Sequence, residues 1–451
     1  MRYKEDWYRA KERLTAFWNG DIIDRCCVSV KVYENFDDPL IRIVPGTDEE
    51  RLRHWTDPEH IIKRKRMQME HTYYGGESFP AIFVDLGAGG HAGFFKGEKH
   101  YFGDSVWFFP SLEDPDDLEF DENSFMYKKT LELAKAYAED SRGDYMVSMP
   151  DTSGNIDALS HLMGPEAMLP ALIEEPEAVQ RALGKIQTAY ERILREVYDI
   201  VRGVNEGGSC IDWLSTWAPG FHAQMQSDAS VMISNPMFKE FILPELRTQC
   251  KFLEYPLYHF DGVEQIRHLD DLLSIPELRA IQWTQVAGQP PCTAYFPELR
   301  KIQAAGKNLL IIVSPDQIEP IMENLSSRGL YLVTTAPTRE DADRIIKTVG
   351  KLTHEYTKKE VRGRSPGFLL YDYVLFEIIG AELEFVHRGF LREGVHVLLV
   401  AVHDTSALPD TVYEHAFLLR KQVEVIGAGI RRSEGHGAVA GENDKFIVAE
   451  L

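Results

Sequence analysis

The chain has 451 residues, of which 44% are hydrophobic, 11% aromatic and 27% charged, a composition that excludes disordered, collagenous and low-complexity proteins. Acidic residues outnumber basic ones 71 to 49, for a formal net charge of -22. Basic residues gather only in short clusters such as Lys63-Arg64-Lys65-Arg66, which argues against a nucleic-acid groove. The five cysteines, Cys26, Cys27, Cys210, Cys250 and Cys292, are odd in number and form no CxxC pair. Neither a disulfide framework nor a thiolate zinc knuckle is expected, and a reducing, cytoplasmic address is. The polar N-terminus lacks a signal-like apolar core, and the longest apolar runs, 309–313 and 395–402, have strand length, so no membrane span is expected.

In chain order, periodicity predicts a helix over 7–18, a strand over 26–32, a helix over 58–74 and a strand over 81–85. A helix over 124–138 and a strand over 145–149 follow, then helix over 159–198 with breaks near Gly164 and Pro176. Further strands are expected over 210–215, 257–260, 280–283, 309–313 and 330–334. Helical patterns separate or follow them at 236–253, 263–273, 296–305, 318–325 and 339–356. Alternation of this kind implies right-handed parallel crossovers and an α/β fold. About eight strands over some 350 residues fit a (β/α)8 TIM barrel, with a doubly wound open sheet as the alternative. In either fold the chemistry belongs at the C-terminal ends of the strands.

The barrel is expected over 1–356. A charged, apolar-poor segment ending in Pro366-Gly367 reads as a linker, and 368–451 as a small appended α/β module of unknown role. The module is predicted to hold helices over 371–385 and 409–425 and strands over 395–402 and 445–450. Its glycine-rich stretch carries Arg431, Arg432 and His436, readable as an anion-binding turn or as a plain hairpin.

The sharpest local signal is LYHFDG, residues 257–262. Residues i and i+2 of a strand share a face, so His259 and Asp261 point the same way at its end. They could bind a metal, share a proton or orient one another. The plain alternative is a hydrogen-bonded histidine beside a helix-capping aspartate. A second cluster, DWLSTWAPG at 212–220, sets Trp213 and Trp217 beside polar groups, with His222, Gln226 and Asp228 following. Gln282, Trp283 and Gln285 repeat that arrangement after the strand at 280–283. The tryptophans read either as a stacking wall for a substrate or as core. Upstream, Asp85 ends a strand and opens the small-residue loop LGAGGHAG with His91, where backbone amides can approach an anion. No P-loop, HExxH, GxSxG or EF-hand pattern occurs, and the glycine loop does not match a dinucleotide fingerprint.

Five blocks in order carry a resemblance: WYRAKERLTAFWNGDIIDR (7–25), QSDASVMISNPMFKEFILPEL (226–246), LYHFDG, IPELRAIQW (275–283) and AGKNLLIIVSP (305–315). Over about 7–354 the sequence resembles the uroporphyrinogen decarboxylase superfamily, and more closely its cobamide-linked methyltransferase branch. That resemblance implies a (β/α)8 barrel, transfer of a methyl group between a small molecule or corrinoid carrier and an acceptor, and a divalent metal, zinc or another. His259 and Asp261 fall on the family's HxC zinc position, with aspartate replacing cysteine. The later strand ends in Val333-Thr334-Thr335, where the second cysteine would stand. The arginine-rich motif of the decarboxylase proper is also missing around 25–30.

From this resemblance His259, Asp261 and Asp228 are expected to be catalytic, with His259 and Asp261 as metal ligands. Trp213, Trp217, Trp283, Gln285, His91 and Asp85 are expected to bind substrate. A His/Asp pair is a harder ligand set than a thiolate one and favours an oxygen-bearing acceptor. The implied partners are a small-molecule substrate, a corrinoid protein and a second copy of the chain, with no nucleic acid and no membrane. Two rival readings are a decarboxylase or other lyase acting on a small carboxylated substrate, and a non-enzymatic ligand-binding barrel.

Overall fold

The computed structural model describes residues 1–35, 45–354, 397–402 and 445–450. The chain forms two compact units, Met1–Val361 and Arg362–Leu451. The first unit opens with α1 (Trp7–Trp18), β1 (Cys27–Tyr33), α2 (Asp48–Thr56), α3 (Pro58–Glu70), β2 (Thr72–Gly76) and β3 (Ala81–Phe83). It continues through β4 (Lys99–Phe102), β5 (Val106–Phe109), α4 (Phe125–Ser141), β6 (Met146–Ser148), α5 (Asn155–Met163), α6 (Pro165–Glu174) and α7 (Pro176–Val201). Next come β7 (Ser209–Ile211), β8 (Thr216–Ala218), β9 (Gln224–Met225), α8 (Asn235–Met237), α9 (Leu243–Phe252), β10 (Leu257–Asp261) and α10 (Leu269–Leu273). The unit closes with β11 (Ala280–Thr284), α11 (Phe296–Ala304), β12 (Asn308–Ile312), α12 (Ile318–Asn324), β13 (Leu330–Thr335) and α13 (Arg339–Leu352).

The result is a mixed α/β fold with a central parallel sheet and many helices. The main ladder has the order β2-β1-β13-β12-β11-β10-β9, parallel throughout except for β2. A second parallel pair joins β3 to β6. Beyond it, the Met149 amide donates to the Cys210 carbonyl at 2.9 Å and ties the end of β6 to β7. Among the described residues no helix is long and apolar enough to cross a membrane.

Two predicted helices are interrupted. The one expected over 58–74 stops at Glu70, and Thr72–Gly76 turns back as a strand antiparallel to β1. Its Thr-Tyr-Tyr-Gly-Gly composition favours pairing over helix. The stretch 236–253 breaks into α8, a π turn at Phe238–Ile242 and α9. Pro244 has no amide hydrogen to continue an α-helical ladder there, and a π turn accommodates the loss.

Period-2 alternation sorts each strand into two faces. Val28, Val30 and Val32 of β1, Tyr258 and Phe260 of β10, and Ile281 and Trp283 of β11 enter the larger core beneath the helices. The opposite face carries an apolar residue near the start of eight strands: Cys27, Ala81, Met146, Cys210, Leu257, Ala280, Leu310 and Tyr331. All eight pack in one cluster against Trp7, Ala10, Leu14, Phe17 and Trp18 of α1. Their spacing in sequence is that of one helix face. The apolar plug therefore sits at the N-terminal ends of the strands.

Within the second unit, β14 (Val397–Val402) and β15 (Lys445–Glu450) pair antiparallel, from Val397↔Glu450 to Val402↔Lys445. The predicted helices over 371–385 and 409–425, most of the linker, and Arg431, Arg432 and His436 lie outside the described residues.

Candidate active site

Beyond the plug the inward positions of β1, β6, β10 and β11 become polar. On β10 the residues after Leu257 on that face are His259 and Asp261. The register His259↔Gln282 and Asp261↔Thr284 places two polar residues of β11 beside them. Gln282 Oε1 lies against His259 Nδ1, and Thr284 Oγ1 is 3.3 Å from the same nitrogen. The Gln282 amide in turn donates to Thr284 Oγ1 at 2.8 Å. An amide oxygen can only accept, so the network assigns the ring proton to Nδ1 and leaves the Nε2 lone pair unprotonated. Trp213 packs edge-on against this imidazole, with ring centroids 5.0 Å apart.

Nε2 lies 4.0 Å from Asp261 Oδ1. Asp228, which opens the 3-10 turn after β9, completes the group: one ligand atom from each of Asp228, His259 and Asp261 lies within 4.8 Å of the others. Asp228 is held from behind. Gln226 donates to its Oδ2 at 3.1 Å, and the amides of Asp228 and Ala229 donate to the buried Asp157 carboxylate at 3.0 and 2.7 Å. The Gly154 amide adds a third bond to Asp157 at 2.9 Å.

Six carboxyl groups lie in this region, and their electrostatics follow from crowding. Burial, then the neighbouring Asp261 and Asp151, raise Asp228 well above the usual carboxylate range, although its side chain keeps a solvent-facing edge. Burial followed by the charge of Asp228 raises Asp157. Asp151 is pushed up to about 7 by burial and by Asp85, against hydrogen bonds from the Gln224 side chain and the Ser153 amide, each at 3.1 Å. Burial lowers His259, opposed by Gln282 and Asp261.

Three cations face this acidity. Lys31, two positions beyond Ser29 on β1, donates to Asp212 at 3.2 Å. Lys65 of α3 lies in the fields of Asp212 and Asp85 and makes no hydrogen bond or ion pair among the described residues. Burial lowers its pKa, only partly offset by those two carboxylates. Arg64 is buried against His54. Several buried polar atoms in this zone also lack partners: Ser29 Oγ, Ser153 Oγ, Trp213 Nε1, Gln224 Oε1 and Gln226 Oε1. Buried polar atoms are nearly always satisfied in proteins, so such a group marks a place for bound water or a polar ligand.

The sequence-predicted residues divide accordingly. His259, Asp261 and Asp228 converge, with Trp213 against the imidazole. Asp85 accepts from the Gly87 amide at 2.9 Å and is coupled to Asp151 and Lys65. Two expectations need correction. Trp217 is fully buried in the plug, its indole donating to the Asn205 carbonyl at 3.1 Å, because the strand carrying it turns back beside the N-terminal ends. Trp283 is on the outer face of β11, stacked on Phe260 at 4.8 Å, because parity gives the inward position to Gln282. Gln285 is exposed and accepts from Gln317 at 3.3 Å. His91 is fully buried with neither ring nitrogen partnered, and burial pulls its pKa down to about 3.

Lys31, Lys65 and Thr284 were not foreseen, and Asp212 was read only as the start of the DWLSTWAPG cluster. Lys31 and Thr284 were detectable in principle, since each continues the inward parity of its strand. Lys65 had no such signal, because a helix within a basic run reads as a solvated face. A separate hollow of about 880 Å³, bordered by Trp18, Tyr255, Arg279 and Asn308, lies at the opposite, N-terminal ends of the strands and contains none of these groups.

No protein-family model and no curated protein matches the chain. Among solved structures it is similar to a methyltransferase from Methanosarcina mazei, at 13% identity, over 76% of this chain and 98% of that one, with a TM-score of 0.49. A likeness of that size carries no information about function.

Proposed function

We propose that the first unit is a closed (β/α)8 barrel enzyme that transfers a methyl group from a corrinoid-carried donor to a small acceptor bound at Asp228, His259 and Asp261. Closure is supported by the plug, in which the first inward residues of eight strands meet a single helix. The observation that carries the functional reading is the convergence of Asp228, His259 and Asp261 at the C-terminal strand ends, where barrel enzymes do their chemistry.

The donor set of one imidazole nitrogen and two carboxylates fits a divalent cation of borderline or hard character. It does not fit a thiolate-held zinc, since all five cysteines are buried and none belongs to the cluster. A cation there would act as a Lewis acid on an oxygen-bearing acceptor. The protein's own groups would do the rest. Gln282 and Thr284 hold the imidazole in the ligating tautomer. Asp151, poised near neutrality, is suited to take up the acceptor's proton. The unpaired Lys65 is suited to an anionic group on the substrate.

The test is elemental analysis and methyl transfer on the same preparations. Purified protein should carry about one divalent ion per chain and methylate an alcohol or carboxylate acceptor from methylcobalamin, and His259→Ala should lose both. A His259→Ala protein that retains full transfer would sink the reading. A second reading, decarboxylation of a small carboxylated substrate, is favoured by the raised carboxyl of Asp151 and by an unpaired lysine, Lys65, both of which lie in the field of Asp85. Carbon dioxide release without methyl transfer would select it.

A further inference from the structure

Behind Asp157, helices α5, α7 and α9 enclose a second polar cluster that the proposed chemistry does not use. Asn155 begins α5, Gln187 and Glu191 lie on α7, and Glu245 and Gln249 lie one turn apart on α9. Asn155 and Gln249 are fully buried and Glu245 is 7% exposed.

The hydrogen bonds fix every orientation. Gln187 donates to the Glu191 carboxylate at 2.9 Å, which turns Gln187 Oε1 inward. The side-chain amides of Asn155 and Gln249 both donate to that oxygen, at 2.7 and 3.1 Å. Turning either amide over would set oxygen against oxygen. Glu245 Oε1 accepts from the Asn155 backbone amide at 2.8 Å and from Gln249 at 3.4 Å. Each side-chain amide nitrogen of the cluster thus makes at least one bond. Three atoms remain buried and without a partner, and all are acceptors: Asn155 Oδ1, Glu245 Oε2 and Gln249 Oε1.

We propose that these three oxygens form an interior binding site for a monovalent cation, sodium or potassium. Burial, then the charge of Asp157, pushes the Glu245 carboxyl up to about 8, so its ionised form requires a counter-charge, and no lysine or arginine is among the groups acting on it. One carboxylate and two neutral amide oxygens carry a single negative charge, which one monovalent ion neutralises. Oxygen-only coordination suits such ions. A proton on Glu245 would provide one donor for two amide oxygens and leave one bare. Asp157, whose charge acts on Glu245, is also a carboxylate, which further favours a cation. The site would hold α5 against α9, and α5 carries the Asp157 carboxylate that positions Asp228.

The experiment is thermal unfolding of the full chain at pH 8 in a chelator, with sodium, potassium or choline chloride at equal ionic strength. The expected result is a saturable rise of about 2 to 5 °C in sodium or potassium over choline. In Glu245→Gln that rise should disappear. Equal midpoints in all three salts, or an equal rise in Glu245→Gln, would overturn the proposal. If the variant does not fold, thallium-205 NMR of the unaltered chain decides. A bound thallous resonance displaced by potassium supports the site, and no bound resonance refutes it. Neither measurement depends on the methyl-transfer reading, so the two can fail separately.

Discussion

The two ends of the same strands differ more than any two separate parts of the first unit. At the N-terminal end the inward residues are Cys27, Met146, Leu257, Leu310 and Tyr331, closed off by the aromatic face of α1. Two positions beyond the plug residues of β1, β6, β10 and β11 stand Ser29, Ser148, His259 and Gln282. The polar groups near the plug have their bonds made: His222 is tied on both ring nitrogens, to the Tyr255 carbonyl at 2.6 Å and to the Thr216 hydroxyl at 2.9 Å. At the other end, buried serine, glutamine and tryptophan atoms stand without partners. The contrast separates work along one ladder. One end stabilises the fold, and the other holds unsatisfied polar capacity that a ligand can meet.

Substitutions can break this contrast. Trp217→Ala should cost the most stability, about 3 to 5 kcal/mol from the cavity alone, measured by urea unfolding. His259→Ala at the opposite end should cost far less stability while removing the metal. A comparable loss from both would contradict the division.

Acid should act in part through the plug end, at His222, alongside the buried His91. His222 is held down to about 4 by burial, against the help of the Tyr255 carbonyl, whereas a free imidazole titrates near 6.5. Its folded pKa is depressed, so its contribution is present above pH 6.5 and is lost as pH falls toward 4. The gap corresponds to roughly 3 kcal/mol. In His222→Gln the fall in stability between pH 6.5 and 4 should shrink by about that amount, read from denaturant midpoints across pH. Asp151 has the opposite sign: its raised folded pKa makes stability decline as pH rises from about 4 to 7.

A smaller effect should follow from Gln282→Leu, which keeps volume but removes the acceptor that fixes His259. Metal affinity should fall about 10- to 100-fold, measured by competition with a chelating dye. Smallest of all, Gln285→Ala on the exposed rim should change stability by no more than about 0.5 kcal/mol and leave turnover intact.

How much of this could be read from the sequence depended on which interactions are local. The alternation of strands and helices was legible because period 2 and period 3.6 are written in neighbouring residues. So was the pairing of His259 with Asp261, since two positions on one strand share a face whatever the rest of the chain does. The fate of the tryptophans was not legible. Trp283 and Gln282 sit side by side in sequence, and only the register His259↔Gln282 decides which one looks inward. Trp217 depended on a strand that turns back, and Lys65 on the docking of a helix. Asp228 reached the site through its bonds to Asp157, 71 residues earlier. Each of these is a long-range fact that no short window contains.

The plug also has a consequence for synthesis. Phe17 meets Tyr331 at a ring separation of 5.5 Å, and the Asn308 side chain donates to the Trp18 carbonyl at 3.2 Å. Helix α1 therefore finds its last partners within the first unit only when β13 has been made. At roughly 5 to 20 residues per second, that interval is on the order of 15 to 60 s. Throughout it, three or four large rings near the nascent terminus have no permanent cover, which makes this helix the segment most in need of a chaperone.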